Sequence, residues 1–194
     1  MAKRREILDQ DVIKIYYFHG FGSGRDSSTA AAIKKVYPNT EVIVYDTTDY
    51  EKALAQFNEF FKGKRFDYTD MFIGSSLGGY WANRFCSQFG VQTILINPGL
   101  DPNSSLRKYD GEEVTGYDDK KKIYRHKDSY VDVKDRIYPR VVFIGEKDEV
   151  VDYKYTEKML KDHSQFVYLP GEGHTLKDLT PVVDMILKMA NNFT

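Results

Sequence analysis

Ser76 lies between Gly74 and Gly78 in a Gly-x-Ser-x-Gly pattern, with an apolar, strand-like run before it and a helical pattern after it. A serine on such a strand-to-helix turn is held in a strained backbone conformation that exposes its Oγ. Its place at a helix N-terminus also lets the N–H of Leu77 and the helix dipole stabilise an oxyanion on an attacked carbonyl. This context predicts that Ser76 is the nucleophile of an acyl transfer.

A serine hydroxyl needs a histidine base, which is itself held by a carboxylate. The sequence has four histidines. His174 lies in a glycine-rich loop after the last predicted strand, and in chains with this serine turn the order is Ser, acid, His. His126 lies between Arg125 and Lys127, a setting that disfavours the positive charge a general base acquires. His174 is therefore the predicted base.

The acid is expected in the loop after the apolar strand at 140–144. That loop carries four carboxylates: Glu146, Asp148, Glu149 and Asp152. Asp148 lies at the tip, where a short carboxylate could reach Nδ1 of His174, and we favour it. Asp152 is better explained as the N-cap of the helix that follows, and it is the alternative acid.

The glycine-rich turn at 19–24, after the first strand, could in principle hold a phosphate. It contains neither Gly-x-Gly-x-x-Gly nor the Lys-Ser/Thr pair of a P-loop. Metal catalysis is equally disfavoured, because no His-Glu-x-x-His or paired-cysteine spacing occurs. We therefore expect neither a metal nor a cofactor, and we expect His19 to hydrogen-bond its own loop.

The elements that must position these residues alternate between strand and helix. The patterns predict strands at 12–18, 41–45, 68–73, 92–96, 140–144 and 165–168, with helices at 27–37, 49–61, 77–89, 152–161 and 175–191. Such alternation predicts an α/β fold, a mostly parallel six-stranded sheet with helices on both faces. Right-handed crossovers and an initial reversal of direction predict the spatial order 2-1-3-4-5-6.

One segment interrupts this rhythm. Residues 98–137 are charged, with little periodicity, and are too long for an ordinary connection. We expect a single domain over 1–194 in which 98–137 is a small lid-like insertion, with a short helix near 131–138. Its position after the strand beside the nucleophile strand predicts that it covers the pocket, leaving a shallow cleft that suits short acyl groups.

The composition bounds the remaining possibilities. The chain has 194 residues, of which 41% are hydrophobic and 29% charged, and these values predict one soluble globular domain. A net charge of −1 gives no electrostatic footprint for nucleic acid or for an anionic membrane. The single cysteine, Cys86, fits a reducing compartment, and the opening residues lack the apolar stretch of a signal peptide. We therefore expect a cytoplasmic location.

Five segments together resemble the α/β-hydrolase superfamily and, more narrowly, small bacterial esterases of the YqiA/YcfP type. They are residues 17–23 (YFHGFGS), 73–82 (IGSSLGGYWA), 96–98 (INP), 145–152 and 173–174. The resemblance extends from about residue 12 to residue 190, and its most specific part is the nucleophile segment with the Gly-Gly-Tyr that follows. The region 101–136 departs from the family in being shorter and more charged.

The resemblance implies a minimal hydrolase without a cofactor, acting on carboxylic esters. It carries the roles of nucleophile, acid and base to Ser76, Asp148 and His174. It also implies that the N–H of Phe21, in the turn after the first strand, is the second oxyanion donor beside Leu77. We expect the side chains of Phe21 and Tyr80 to line the substrate pocket.

The leading interpretation is a serine esterase or thioesterase whose partner is a small acyl ester or thioester. Dehalogenase and epoxide hydrolase chemistry on this fold uses an aspartate nucleophile, whereas position 76 is a serine. The alternative is a non-catalytic binding protein that keeps the fold, but no member of the predicted triad is missing. The sequence leaves the acyl length and the choice between oxygen ester and thioester open.

Overall fold

The computed structural model describes residues 12–111, 113–115, 121–123 and 139–191. Within these ranges the strands are β1 (Lys14–Phe18), β2 (Thr40–Ile43), β3 (Asp70–Ser75), β4 (Gln92–Ile96), β5 (Glu113–Thr115), β6 (Lys121–Ile123), β7 (Arg140–Gly145) and β8 (Gln165–Leu169). The helices are α1 (Ser28–Val36), α2 (Tyr50–Phe61), α3 (Leu77–Phe89), α4 (Pro102–Leu106), α5 (Tyr153–Leu160) and α6 (Thr180–Asn191), and a 3₁₀ turn (Arg107–Tyr109) follows α4.

Six strands form one sheet in the order β2-β1-β3-β4-β7-β8, and every neighbouring pair is parallel. This confirms the predicted fold class and strand order. β3 pairs with β1 through Phe18 and Gly74, and with β4 through Ser75 and Ile96. The carboxyl ends of these three strands therefore meet at one edge of the sheet, where the chain leaves β3 at Ser76.

The two faces of the sheet bury different side chains. Because side chains alternate along a strand, β1 sends Tyr16 and Phe18 to one face and Ile15 and Tyr17 to the other. The first face is an aromatic layer against α2 and α3, in which Phe57, Phe61, Phe72, Trp81 and Phe85 are buried. The second is a mainly aliphatic layer against α1 and α6, with Ile33, Ile73, Ile94, Val182 and Ile186. Helices thus cover both faces, as predicted.

Two details differ from the expectations. Helix α6 begins at Thr180, not near 175, because Pro181 lacks an N–H and is favoured in the first turn of a helix. The charged segment contains an antiparallel pair, β5 with β6, that the patterns did not indicate. His126 and the helix expected near 131–138 lie outside the described residues, so the lid-like insertion stays a prediction. Over the ranges described, none of the helices has the length and apolar character needed to span a bilayer.

Candidate active site

Ser76 occupies the turn between β3 and α3. Its backbone has φ 52° and ψ −122°, a region that residues other than glycine rarely enter. Hydrogen bonds fix this conformation, because the N–H of Ser76 donates to the Ile96 carbonyl at 3.1 Å and its carbonyl accepts from Gly79 and Gly99, each at 2.9 Å. The strained conformation expected of a nucleophile turn is therefore present and is held from both sides.

Two glycines around Ser76 are required by close backbone packing. A Cβ on Gly78 would overlap the Phe18 carbonyl of β1, and a Cβ on Gly74 would overlap the Gly78 carbonyl of α3. Both obstacles are main-chain atoms, which cannot rotate away. The Gly-x-Ser-x-Gly pattern thus lets α3 start directly against β1 and β3.

A continuous chain of hydrogen bonds joins three of the predicted site residues. Nε2 of His174 lies 3.0 Å from Oγ of Ser76, and Nδ1 lies 3.0 and 2.9 Å from the two carboxylate oxygens of Asp148. An ionised carboxylate can only accept, so Nδ1 carries the proton and Nε2 presents its lone pair to the serine hydroxyl. In this tautomer the histidine can accept the serine's proton.

The carboxylate of Asp148 is almost fully buried, with 1% of its side chain exposed. Burial raises its pKa, but the hydrogen bond from His174 and those from the N–H groups of Val151 and Val150 outweigh burial and lower the pKa overall. Asp148 therefore stays ionised at neutral pH. The alternative acid, Asp152, instead caps helix α5 by accepting from the N–H of Lys154 at 3.0 Å.

Asn97, at the end of β4, connects the two loops that carry Asp148 and His174. Its Nδ2 donates to the carbonyls of Gly173 and His174, at 3.0 and 2.9 Å. Its Oδ1 accepts from the N–H of Gly145, at the end of β7, at 2.7 Å. The residue is buried and has φ 42°. Sequence reasoning gave Asn97 no role, although an asparagine directly after a buried strand and before a proline was a usable signal.

The loop after β1 approaches Ser76 from the other side. The N–H of Ser23 donates to the Gly20 carbonyl at 3.2 Å, and Gly22 has φ 65°, so residues 20–23 form a turn with Phe21 at its first corner. The ring of Phe21 stacks on Tyr109, with centroids 5.2 Å apart. The N–H of Leu77, the first residue of α3, has no partner within its own helix. Phe21 and Leu77 both line the cleft at Ser76, and the oxyanion role of their N–H groups stays a prediction.

His19 and Tyr80 lie in the interior. Nδ1 of His19 donates to the Gly20 carbonyl at 3.0 Å and its ring stacks on Tyr45, so it contacts its own loop as expected. Tyr80 was expected to line the pocket, and this expectation is wrong. Its side chain is fully buried in the aromatic layer, edge-on to Trp81, and is therefore closed off from the cleft.

A cleft opens above Ser76. One arm of it, with a volume of about 180 Å³, is here called the apolar arm. Most of its lining is apolar, and it consists of Phe21, Leu77, Gly99, Pro102, Leu106, Tyr109, Val150 and Val151 together with Ser76, Ser105 and His174. Part of segment 98–137 therefore does line the cleft, through α4 and the turn after it. Across the described ranges, no cluster of His, Cys, Asp and Glu side chains is arranged to hold a metal ion.

Solved structures share this architecture. Est1E from Butyrivibrio proteoclasticus, solved with ferulic acid, aligns with a TM-score of 0.65 and 14% identity, covering 97% of this chain and 90% of its own. An α/β serine hydrolase without lid from Xanthomonas campestris aligns with a TM-score of 0.59 and 15% identity, over 96% and 84%. The esterase domain of a Rhodothermus marinus protein aligns with a TM-score of 0.59 and 18% identity, covering 95% of this chain and 85% of its own. The protein therefore has the α/β-hydrolase fold.

The sequence comparisons narrow this class to a family. The model of UPF0227, described as an uncharacterised protein family, matches residues 14–191, and the chain belongs to that family. A UPF0227 protein of Yersinia enterocolitica is 27% identical over 181 residues, covering 89% of this chain and 96% of the relative. The UPF0227 protein YcfP of Salmonella gallinarum is 23% identical over 179 residues, with the same coverage. The resemblance inferred from the motifs is confirmed.

Proposed function

We propose that the protein is a serine hydrolase that cleaves small carboxylic esters through an acyl-enzyme intermediate. The observation that carries this proposal is the hydrogen-bonded chain from Asp148 through His174 to Ser76, ending on a serine with φ 52°. The structural neighbours, which include esterases and a serine hydrolase, agree with it. Thioesters are attacked at the same acyl carbon and stand as a second substrate type of the same mechanism.

In this mechanism Oγ of Ser76 attacks the acyl carbon while Nε2 of His174 takes the hydroxyl proton. The N–H groups of Phe21 and Leu77 hold the oxyanion of the tetrahedral intermediate. Asp148 keeps the imidazole in its tautomer and stabilises the imidazolium. His174 then gives the proton to the leaving group, and a water molecule, activated by the same nitrogen, releases the acid.

The acyl group is expected to be short. The apolar arm is smaller than the ~300–1,000 Å³ of pockets that enclose drug-sized ligands. Beyond Gly99 and Val151, the adjoining cavity of about 330 Å³ presents polar groups such as Asp101 and Ser104. A longer chain would carry methylenes into that polar region, where their burial gains little.

The decisive experiment is covalent labelling with a fluorophosphonate, followed by peptide mapping to separate Ser76 from the adjacent Ser75. We expect the label on Ser76, no label in Ser76→Ala, and hydrolysis of p-nitrophenyl acetate reduced by at least about 10³-fold in that variant. Ser87→Ala removes a hydroxyl eleven residues along α3, about 16 Å away, and serves as the matched control. Labelling or turnover that survives Ser76→Ala would contradict the proposal.

A further inference from the structure

The cleft has a second arm on the other side of Ser76. It also has a volume of about 180 Å³, and it shares Phe21, Ser76 and His174 with the apolar arm. Its character is different, because six of the nine residues that it adds bear hydroxyls, the others being Gly20, Ile96 and Leu176. These six residues define the hydroxyl arm: Ser23, Ser27, Ser28, Thr29, Ser75 and Thr175.

Two hydroxyls of this arm, those of Ser27 and Ser75, are held from the protein interior, and Ser27 also accepts from the N–H of Ala30 as the N-cap of α1. The phenol of Tyr17, which is fully buried, contacts Oγ of Ser75 at 2.7 Å and Oγ of Ser27 at 3.4 Å. Burial raises the pKa of Tyr17, so the phenol stays protonated and neutral. Each hydroxyl has one donor and two acceptor positions, so one internal contact fixes a side chain and leaves it able to bind a ligand.

Charge is lacking in this arm. Of the described residues that line it, none is Asp, Glu, Lys or Arg, and the only titratable one is His174. A charged group bound here would meet no countercharge. An alkyl group would displace water from the hydroxyls without replacing its hydrogen bonds, which costs affinity. A neutral group with several hydroxyls needs no countercharge, and its own hydroxyls donate and accept the hydrogen bonds of the water that it displaces.

We propose that the hydroxyl arm binds the alcohol portion of the ester, and that this portion is an uncharged polyol of the glycerol or sugar kind, while the apolar arm takes the acyl chain. This inference rests on the proposed function. Ser76 Oγ forms the bond to the acyl carbon, the carbon–oxygen bond to the polyol breaks, and His174 Nε2 returns the proton to the polyol oxygen. Water then releases the short carboxylic acid.

Two esters with the same acyl group and the same number of alcohol carbons test the proposal: glyceryl monobutyrate and n-propyl butyrate. We expect kcat/KM to be at least about tenfold higher for the glyceryl ester, since a site built to hydrogen-bond hydroxyls discriminates strongly against an analogue that lacks them. Butyrylcholine, with a cationic alcohol, should be the poorest of the three.

A double variant tests whether the preference for the glyceryl ester arises in the hydroxyl arm. Thr29→Val, isosteric but without a hydroxyl, combined with Ser23→Ala should lower kcat/KM for the glyceryl ester about fivefold more than for the propyl ester. Ser87→Ala should keep the wild-type ratio. A ratio unchanged in the folded double variant would overturn the assignment.

The wild-type comparison stands even where the variant fails to fold. Equal kcat/KM for the two butyrates, or a preference for the propyl ester, would overturn the polyol proposal. If p-nitrophenyl acetate is still hydrolysed in that case, the proposed function is unaffected. Absence of hydrolysis of every ester would overturn the proposed function itself, and the polyol proposal with it.

Discussion

Ser76 and the two residues hydrogen-bonded in line with it, His174 and Asp148, are held in place by different kinds of interaction. Ser76 is positioned by contact between backbones, because α3 can begin against β1 only where Gly74 and Gly78 lack a Cβ. Asp148 and His174 are positioned by hydrogen bonds, from the N–H groups of Val150 and Val151 to the carboxylate and from Asn97 to the carbonyl of His174.

This difference determines what each region tolerates. Steric exclusion leaves no freedom of residue type, so the serine turn has a recognisable sequence pattern. A hydrogen-bonded loop can be built by many sequences, provided that its donors and acceptors are satisfied. We therefore expect substitutions of the two turn glycines to act mainly on folding, and substitutions in the loops to act mainly on turnover.

The largest expected effect is on turnover, from Asp148→Asn in the hydrogen-bonded region. The histidine would lose both the partner that selects its tautomer and the countercharge for its imidazolium, so kcat should fall by about 10⁴-fold while the fold persists. Steady-state hydrolysis of p-nitrophenyl acetate measures this. Asp152→Asn is the control, and because asparagine caps a helix about as well as aspartate, both stability and turnover should stay close to the wild-type values. The reverse pattern would make Asp152 the acid.

The next effect is on folding, from Gly78→Ala in the sterically held region. The added methyl would overlap the Phe18 carbonyl, and the unfolding free energy should drop by at least about 3 kcal/mol. Gly63→Ala has a positive φ but no atom within 4 Å of the new Cβ, so only backbone strain of about 1–2 kcal/mol is expected. Urea unfolding followed by circular dichroism compares the two. Equal losses would show that packing does not dictate glycine at the turn.

A smaller effect on turnover is expected from Asn97→Asp, which is isosteric but replaces the amide donor with a carboxylate oxygen that faces, and repels, the carbonyls of Gly173 and His174. The loop should shift, and kcat should fall about 10–100-fold with little change in KM, because a displacement of about 1 Å is enough for a loss of that size. Asn191 also donates through Nδ2 to a carbonyl, that of Leu187, so Asn191→Asp is the matched control. A wild-type kcat in folded Asn97→Asp would show that Asn97 does not position His174.

The sequence predicted the features that arise from local pattern. The buried apolar runs and the helix periodicities were enough to predict the order of the six strands, and the glycine spacing was enough to predict the turn at Ser76. The choice of Asp148 instead of Asp152 as the acid depended on the prediction that Asp152 caps a helix. The hydrogen bond from the N–H of Lys154 to Asp152 confirms that cap.

The features that were missed depend on tertiary contacts. Asn97 connects residues 48 and 77 positions away, a relation that no local pattern encodes. The burial of Tyr80 depends on which other elements pack around α3, and a helix that is apolar for most of its first two turns does not reveal this. The β5–β6 pair consists of two three-residue strands in a charged segment, too short for alternation to be recognised.

The aromatic layer also provides an optical reporter of the serine turn. Trp81 is the chain's only tryptophan, it is fully buried, and it lies on α3 five residues after Ser76. Its indole stacks on Tyr50 at 5.2 Å and contacts Phe57 at 4.8 Å between centroids. Its emission should be that of an apolar environment and should respond to any loosening of α3 against the sheet. The integrity of the turn can therefore be followed in the native protein without a substrate, a label or an engineered fluorophore.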